Sequence, residues 1–554
     1  MKKRKKDVWF FLSWTLFGLF LLFLVYPLLN ILRQAVTTSD GGFTLREFQE
    51  IFEKRSYIGT IWNSFKVSTA STAVALLLGI PFAYFYTFYR IRGSKVLFVI
   101  SILSCMSAPF VGAYAWILLL GRAGIITVFL RSIGIDIGSI YGFSGIILVQ
   151  STKLFPLVFL YMIGALRNID NSLMEASQNL GCKGIKRFFS LVLMLTMPTI
   201  LASALVVFMR AFADFGTPLI IGRNYQTFPV EIYNNYMGEM GTNKPFASAL
   251  SIIAIGITGL VFLVQKVATS RFQFTMNAMH PIEKKQIRGF AVVPVYLFLY
   301  GVVFVSIMPN IYLLITSFRN IRGTVFREGY SLQNYIDAFG QTAFVRSISN
   351  TLMIGFAALF LIVLISIILS YLVVRRKSVI NNTIDTFSII PFVMPGAVLG
   401  IALITGFNAG VLNSGFLVLS GTYAIMIIAV MIRRMPYTIR STTATLMQIS
   451  ESVEEASISL GASKMKTFFQ ITVPMMKNGI ISGAILSFVA IVGELSTGIL
   501  LYTHKTITLS VSTYLAVLRG NYGGASVLST VLLVITTFAL FLYMKVTKME
   551  DVKL

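Results

Sequence analysis

Ser452-Val453-Glu454-Glu455-Ala456-Ser457-Ile458-Ser459-Leu460-Gly461 lies between two long apolar stretches and carries the marks of a short helix in water. Ser452 can N-cap it, with Glu455 at the capping-box spacing. Gly461 can take the left-handed conformation that ends a helix. Lys464, Lys466, Phe468 and Phe469 then lead into the next apolar stretch, with Pro474 near its start. The same pattern stands earlier as Ser172-Leu173-Met174-Glu175-Ala176-Ser177-Gln178-Asn179-Leu180-Gly181, followed by Lys186, Phe188 and Phe189. The offset is 455 − 175 = 280, and Ile169/Ile449, Ser172/Ser452, Ala176/Ala456, Ser177/Ser457, Gly181/Gly461 and Phe188/Phe468 all keep it. A chain of 554 residues that repeats a polar loop at half its length reads as a duplication.

Around these loops the chain is 56% hydrophobic and only 12% charged, with mean hydropathy +0.80. Many apolar runs exceed the roughly 20 residues that cross a bilayer as a helix. This predicts an all-α polytopic membrane protein; a barrel would show short alternating segments instead. The net charge of +25 would suggest nucleic acid in a soluble chain, but Lys and Arg crowd the cytoplasmic loops of membrane proteins. No nucleic-acid partner is expected. Cys105 and Cys182 supply neither a disulfide framework nor a Cys-based metal site. The outer tyrosines read as interface anchors, and no metal site is assigned.

About twelve spans are predicted, six in each half. They lie near 8–32, 60–88, 96–120, 143–166, 192–222 and 246–268, then near 290–317, 347–374, 384–406, 416–433, 472–501 and 525–545. The expected domains are 1–268, a polar linker 269–289, and 290–554. Basic residues gather in the N-terminal tail (Lys2–Lys6), at Arg90/Arg92/Lys95, Lys183/Lys186/Arg187, Lys284/Lys285/Arg288, Arg375/Arg376/Lys377, Arg433/Arg434/Arg440 and Lys545/Lys548. All fall on one side, which the positive-inside rule makes cytoplasmic. Both termini and both repeated helices are therefore expected in the cytoplasm. Two halves of the same topology are parallel repeats, related by an axis along the membrane normal.

A repeated, capped helix with small residues on it suits docking into a groove of a cytoplasmic partner. The plainer reading is a connector whose Glu175 and Glu455 serve only as capping residues. Two copies with matched flanks favour docking. The second copy, with Glu455, Ala456, Ser457, Gly461, Ile471, Val473 and Pro474, resembles the cytoplasmic signature of permease subunits of binding-protein-dependent ABC importers. The first copy matches at Glu175, Ala176, Ser177 and Gly181, then departs: Met194 stands where Pro474 has its counterpart, with Pro198 one turn later. The resemblance implies two fused permease domains of the type I importer fold in a bacterial inner membrane. It implies that each loop helix is a coupling helix seated in one of two ATPase subunits, with an extracytoplasmic binding protein delivering substrate. No Gly-x-x-x-x-Gly-Lys-Ser/Thr occurs in the chain. ATP and Mg are thus expected on the partner ATPase and no cofactor on this chain, which is read as no enzyme.

Ionisable residues within spans are functional hypotheses by default. Asp214 and Glu494 keep the 280 offset late in the fifth span of each half. They read either as acids at the outer mouth of a pathway or as members of ion pairs, such as Asp214 with Arg210 one turn earlier. The stretches Asp214-Phe215-Gly216-Thr217-Pro218 and Gly493-Glu494-Leu495-Ser496-Thr497 resemble fused permeases of the ferric-iron uptake group. That group shades into relatives for aminoethylphosphonate, thiamine, sulfate and polyamines. The alternative class is an ion-driven secondary transporter, which would place coupling charges near the membrane midplane and has no use for a repeated cytoplasmic helix.

Overall fold

The computed structural model describes residues 8–546, apart from 39, 107, 183, 239–242, 272–279, 281–283 and 288. Much of the expected linker 269–289 therefore lies outside the described residues, as do Lys2–Lys6, Lys183, Arg288 and Lys548. Among the described residues nine helices are long and apolar enough to span a bilayer, or up to eleven if each of two bent pairs is one span. About twelve were expected, and three places account for the difference. The helix Tyr423–Met447, over the expected 416–433 span, carries Arg433, Arg434 and Arg440. The expected 384–406 span breaks before Pro395 into Val379–Val393 and Gly396–Phe407, bent by 114°, because proline has no N–H to continue the helix. The expected 472–501 span is likewise a bent pair, Lys464–Met475 and Lys477–Val492, at 66°. The expected 96–120 span also breaks, into Ser94–Met106 and Pro109–Leu120, and the span counted there runs from Pro109 to Ser132. One antiparallel hairpin, Arg319–Arg322 with Val325–Tyr330, departs from the all-helical expectation.

The chain forms two compact units: Met1–Ile51 with Ile232–Ala254 and Thr316–Leu554, and Phe52–Glu231 with Ile255–Ile315. A spatial unit is thus not one sequence half, because the opening helix of each half packs in the unit built mainly from the other. In the first unit Trp9, Leu16, Phe20 and Leu24 join a core with Leu403, Ile439 and Phe468. The Trp9 ring lies 4.4 Å from Tyr371 and 4.9 Å from Phe468. In the second unit Val295, Leu299 and Val303 join Phe82, Phe155 and Phe159. Each apolar stripe is covered by large rings, so burial rather than helix propensity holds these long helices in place.

The central crossing is the same in both units: Arg55–Phe88 packs on Phe143–Arg167, and Thr342–Arg375 packs on Tyr423–Met447. Several buried hydroxyls are satisfied within their own helices, as where Ser64, Thr72 and Thr442 donate to carbonyls four residues back. That removes the cost of an unpaired polar group in an apolar medium. Large apolar side chains such as Leu77, Leu297, Phe360 and Phe538 are exposed along the helices, a surface suited to lipid and too extensive for water.

Close approach of backbones depends on glycine. A Cβ on Gly483 would lie 2.6 Å from the Thr438 Cα and 2.9 Å from the Ser441 Cβ. Backbone cannot give way as a side chain does. Gly483→Ala is expected to lower stability by about 2 kcal/mol, read as a lower unfolding midpoint in detergent. Gly256→Ala, with nothing within 4 Å of the new methyl, is the matched control. Equal midpoints for the two variants would contradict this packing.

Candidate functional site

The repeated stretches form the helices Asn171–Asn179 and Glu451–Ser459. Their starts correct the sequence reading. The second helix is capped by Ser450, whose hydroxyl accepts from the Ser452 N–H at 3.3 Å. The first is capped by Asp170, which accepts from the Ser172 N–H at 2.9 Å. Ser172 and Ser452 are therefore inside their helices, and Glu175 and Glu455 are not capping-box partners of these serines. Glu175 instead accepts from the Asn171 side-chain amide at 2.8 Å. The C-terminal ends are as expected: Gly181 at φ 82° and Gly461 at φ 89°. The following N–H groups of Cys182 and Ala462 bond back to the Ser177 and Ser457 carbonyls at 2.9 and 3.1 Å. This ties off carbonyls that the helix end would leave open.

Burial gives each helix two faces. Glu175, Ala176, Glu455 and Ala456 are exposed, and the tip leucines Leu180 and Leu460 are 85% and 90% exposed. A single exposed leucine is ordinary. The same one at the same place in both copies, beside the same Glu-Ala pair, is a matched exposed surface. The inner face differs between copies. Glu454 is buried and takes the Arg375 Nε at 3.0 Å and the Tyr371 hydroxyl at 3.3 Å. Arg375 also donates to the Ile449 carbonyl at 2.6 Å. In the first copy the offset of 280 puts Met174 in place of Glu454, and Met174 packs in an apolar core that includes Tyr84 and Phe88. The mismatch of Met174 with Glu454 is the sequence signal for this contact, and it is easily missed beside the better-matched Glu455.

Breaking one side of a buried pair leaves an uncompensated charge. Arg375→Leu is expected to cost about 3 kcal/mol, read as a lower unfolding midpoint. Adding Glu454→Met, the residue the first copy uses, is expected to restore most of the loss. A double variant no better than the single would show that the pair is not the cause.

Both loops leave through a π-helical turn, Phe188–Val192 and Phe468–Thr472, so Met194 in place of Pro474 does not change the exit turn. The difference between the copies lies in the next helix. The second copy bends by 66° between Lys464–Met475 and Lys477–Val492, while Gly184–Phe212 is one span of 29 residues.

The two acids have different environments. Asp214 accepts from the Gln150 side-chain amide at 3.1 Å and, more loosely, from the Thr217 N–H at 3.4 Å. Both of these donors are neutral groups. Glu494 is buried, with its side chain 2% exposed, which corrects its reading as an acid open at a pathway mouth. Its Oε1 takes Arg433 at 3.0 Å, Ser496 at 2.8 Å and the Thr497 N–H at 3.1 Å, and its Oε2 takes Arg434. Arg433 also donates to Ser496 and Thr497, and Thr497 donates to the Gly396 carbonyl at 3.2 Å. The network thereby ties the break after the fifth span to the bend at Pro395. A Cβ on Gly396 would overlap the Arg433 guanidinium, so a side chain there would push Arg433 out of its place in the network. Sequence reading places Arg433 and Arg434 among the cytoplasmic basic residues. Their position inside the fold depends on contacts some 60 residues away, which no local signal carries.

Residues 75–273 and 362–548 match the family described as binding-protein-dependent transport system inner membrane component, more than half of the chain. The ferric transport system permease protein FbpB of Actinobacillus pleuropneumoniae is 28% identical over 528 residues, covering 93% of this chain and 74% of that protein. The Fe(3+)-transport system permease protein FbpB 2 of Haemophilus influenzae is 25% identical over 545 residues, 98% of this chain and 99% of that protein. The spermidine/putrescine transport system permease protein PotB of the same organism is 29% identical over 275 residues, 48% of this chain and 92% of that protein.

Proposed function

The chain belongs to the family of inner-membrane components of binding-protein-dependent transport systems, and from that premise we propose that it is the fused permease of an ATP-driven importer of ferric iron. The observation that carries the transport mechanism is the pair of helices Asn171–Asn179 and Glu451–Ser459, alike in outer face and in glycine-ended geometry. Each docks in one ATPase subunit, so two copies of the ATPase serve one chain. Hydrolysis belongs to those subunits, with ATP and Mg held there and no cofactor on this chain. The positive-inside argument puts both helices and both termini in the cytoplasm. An extracytoplasmic binding protein delivers the substrate to the opposite side.

The rigid cap and glycine end of each helix let a push from the ATPase move the spans on either side as a body. Exit through the same π-helical turn in both copies supports a shared mechanical role. Iron is favoured over the other substrates of related permeases because the relatives named for ferric transport align along 93% and 98% of the chain, whereas PotB aligns along 48%.

The test is copurification from membranes followed by uptake in proteoliposomes. A P-loop ATPase at about two per chain, and uptake of radiolabelled Fe(III) that needs both ATP and the binding protein, are the expected results. A chain that comes alone and moves solute on an ion gradient without ATP would overturn the reading. ATP-driven uptake of an organic cation or phosphonate in preference to Fe(III) would overturn the substrate alone.

A further inference from the structure

We propose that the unit Phe52–Glu231 with Ile255–Ile315 carries an oxyanion-binding cup at the end remote from its docking helix. The helix Phe143–Arg167 begins at the cup and ends just before Asn171. Its 25 residues separate the two by about 37 Å. The cup is a hollow of about 390 Å³ lined by Arg122, Ser139, Tyr141, Arg223, Asn224 and Tyr225, among others, and among the described residues no carboxylate lines it. The nearest acid in sequence, Asp136, lines an adjoining hollow with Arg122 and Arg131 and accepts from the Gly138 N–H at 3.2 Å.

Three observations show a built site rather than a chance cluster of arginines. Arg223 sits at φ 44°, a conformation that costs energy for a side chain with a Cβ and that concentrates at functional positions. Its guanidinium lies over the Tyr141 ring, 3.7 Å from the centroid, so a cation–π contact fixes the fork before any ligand arrives. The Tyr225 side chain lines the hollow, and its hydroxyl is without a hydrogen-bond partner among the described residues, so the aromatic wall carries a spare polar group beside the arginines. The frame is stiff: the Gly142 N–H bonds to the Ile221 carbonyl at 3.0 Å, and the Tyr225 N–H to the Gly222 carbonyl at 2.8 Å. The Phe143 and Tyr225 rings lie 5.4 Å apart.

The donors are two guanidinium forks, an amide and hydroxyls. That set suits a carboxylate or phosphate, whose oxygens accept paired, charge-assisted hydrogen bonds. It repels a cation. The cup does not belong to the repeated scaffold, since the 280 offset puts Thr503, His504 and Lys505 opposite Arg223, Asn224 and Tyr225. Two sources could supply the anion: a free carboxylate or phosphate, or an acidic side chain of the protein that delivers the substrate. The second source rests on the importer reading.

The test uses the full chain purified in detergent, with Arg122→Gln/Arg223→Gln and Tyr225→Phe as variants. Inorganic phosphate and citrate are titrated by calorimetry, and the binding protein of the same transport system by surface immobilisation at two salt concentrations. Binding of phosphate or citrate that weakens on the order of tenfold or more in the double variant identifies a free anion. No small-anion binding, with tenfold weaker and less salt-dependent docking of the binding protein, identifies an acidic side chain. Tyr225→Phe should weaken the same interaction by less and leave the unfolding midpoint unchanged. If the double variant binds phosphate, citrate and the binding protein as the wild type does, the cup is not a ligand site. If the wild type brings down no ATPase, the importer reading falls, while the phosphate and citrate titrations still decide the cup.

Discussion

Leu180→Asp combined with Leu460→Asp is expected to abolish ATP-driven uptake and to release the ATPase on purification, with no change in the chain's own unfolding midpoint. Leu180 and Leu460 are 85% and 90% exposed, so neither contributes to the fold by burial. In a docked groove each would gain about 2 kcal/mol of apolar burial. Aspartate loses that gain and adds the cost of placing an unpaired charge in the interface. Two sites together are expected to weaken docking by at least about a thousandfold. Either single variant should leave one helix engaged and retain partial association. The measurement pairs ATPase copurification with thermal unfolding in detergent. A double variant that keeps its ATPase and its uptake would remove the docking assignment, and a lowered midpoint would show that the leucines serve the fold instead.

The largest stability effect is expected at Glu494. Glu494→Leu leaves Arg433 and Arg434 without their shared carboxylate, at side-chain exposures of 10% and 18%. Removing one partner of a buried ion pair costs about 3–5 kcal/mol. Here the carboxylate also holds Ser496 and the Thr497 N–H, so the variant is expected at the upper end of that range. Asp214→Leu, at the matched place in the other half, removes hydrogen bonds to an amide and an N–H. That should cost about 1–2 kcal/mol. The test is the difference between the two unfolding midpoints. Equal losses would mean that Glu494 is not the keystone of its network.

These two acids also show which features are legible in the sequence. Their shared offset is, as are the duplicated helices, their glycine ends and the membrane class, because each rests on local pattern or composition. Their environments are not. Glu494 is paired by arginines that occur some 60 residues earlier, and Asp214 by a glutamine at a similar remove. The cap shifts by two residues because Ser450 and Ser452 are both able to accept from the first turn, and only backbone geometry chooses between them. Glu454 hides beside Glu455 because neighbours on a helix stand about 100° apart, so that one points inward and the other outward. The proline at 395 signals a bend, and so does Pro474, directly before the bend at Met476, where the first copy has Met194 and one unbroken span.

The exchange of opening helices sets an order of events during synthesis. Trp9 is made more than 350 residues before the aromatic partners that cover it, Tyr371 and Phe468. At about 5–20 residues per second the opening helix waits on the order of 20–90 s for its site to exist. During that time lipid or the insertion machinery must shield its aromatic face. The core around Phe82 is likewise incomplete until Val295, Leu299 and Val303 have been made. Neither half of the gene therefore encodes a finished folding unit. Carrying both on one polypeptide keeps each exchanged helix at a high effective concentration near its destination, where two separately made halves would have to meet by diffusion in the membrane.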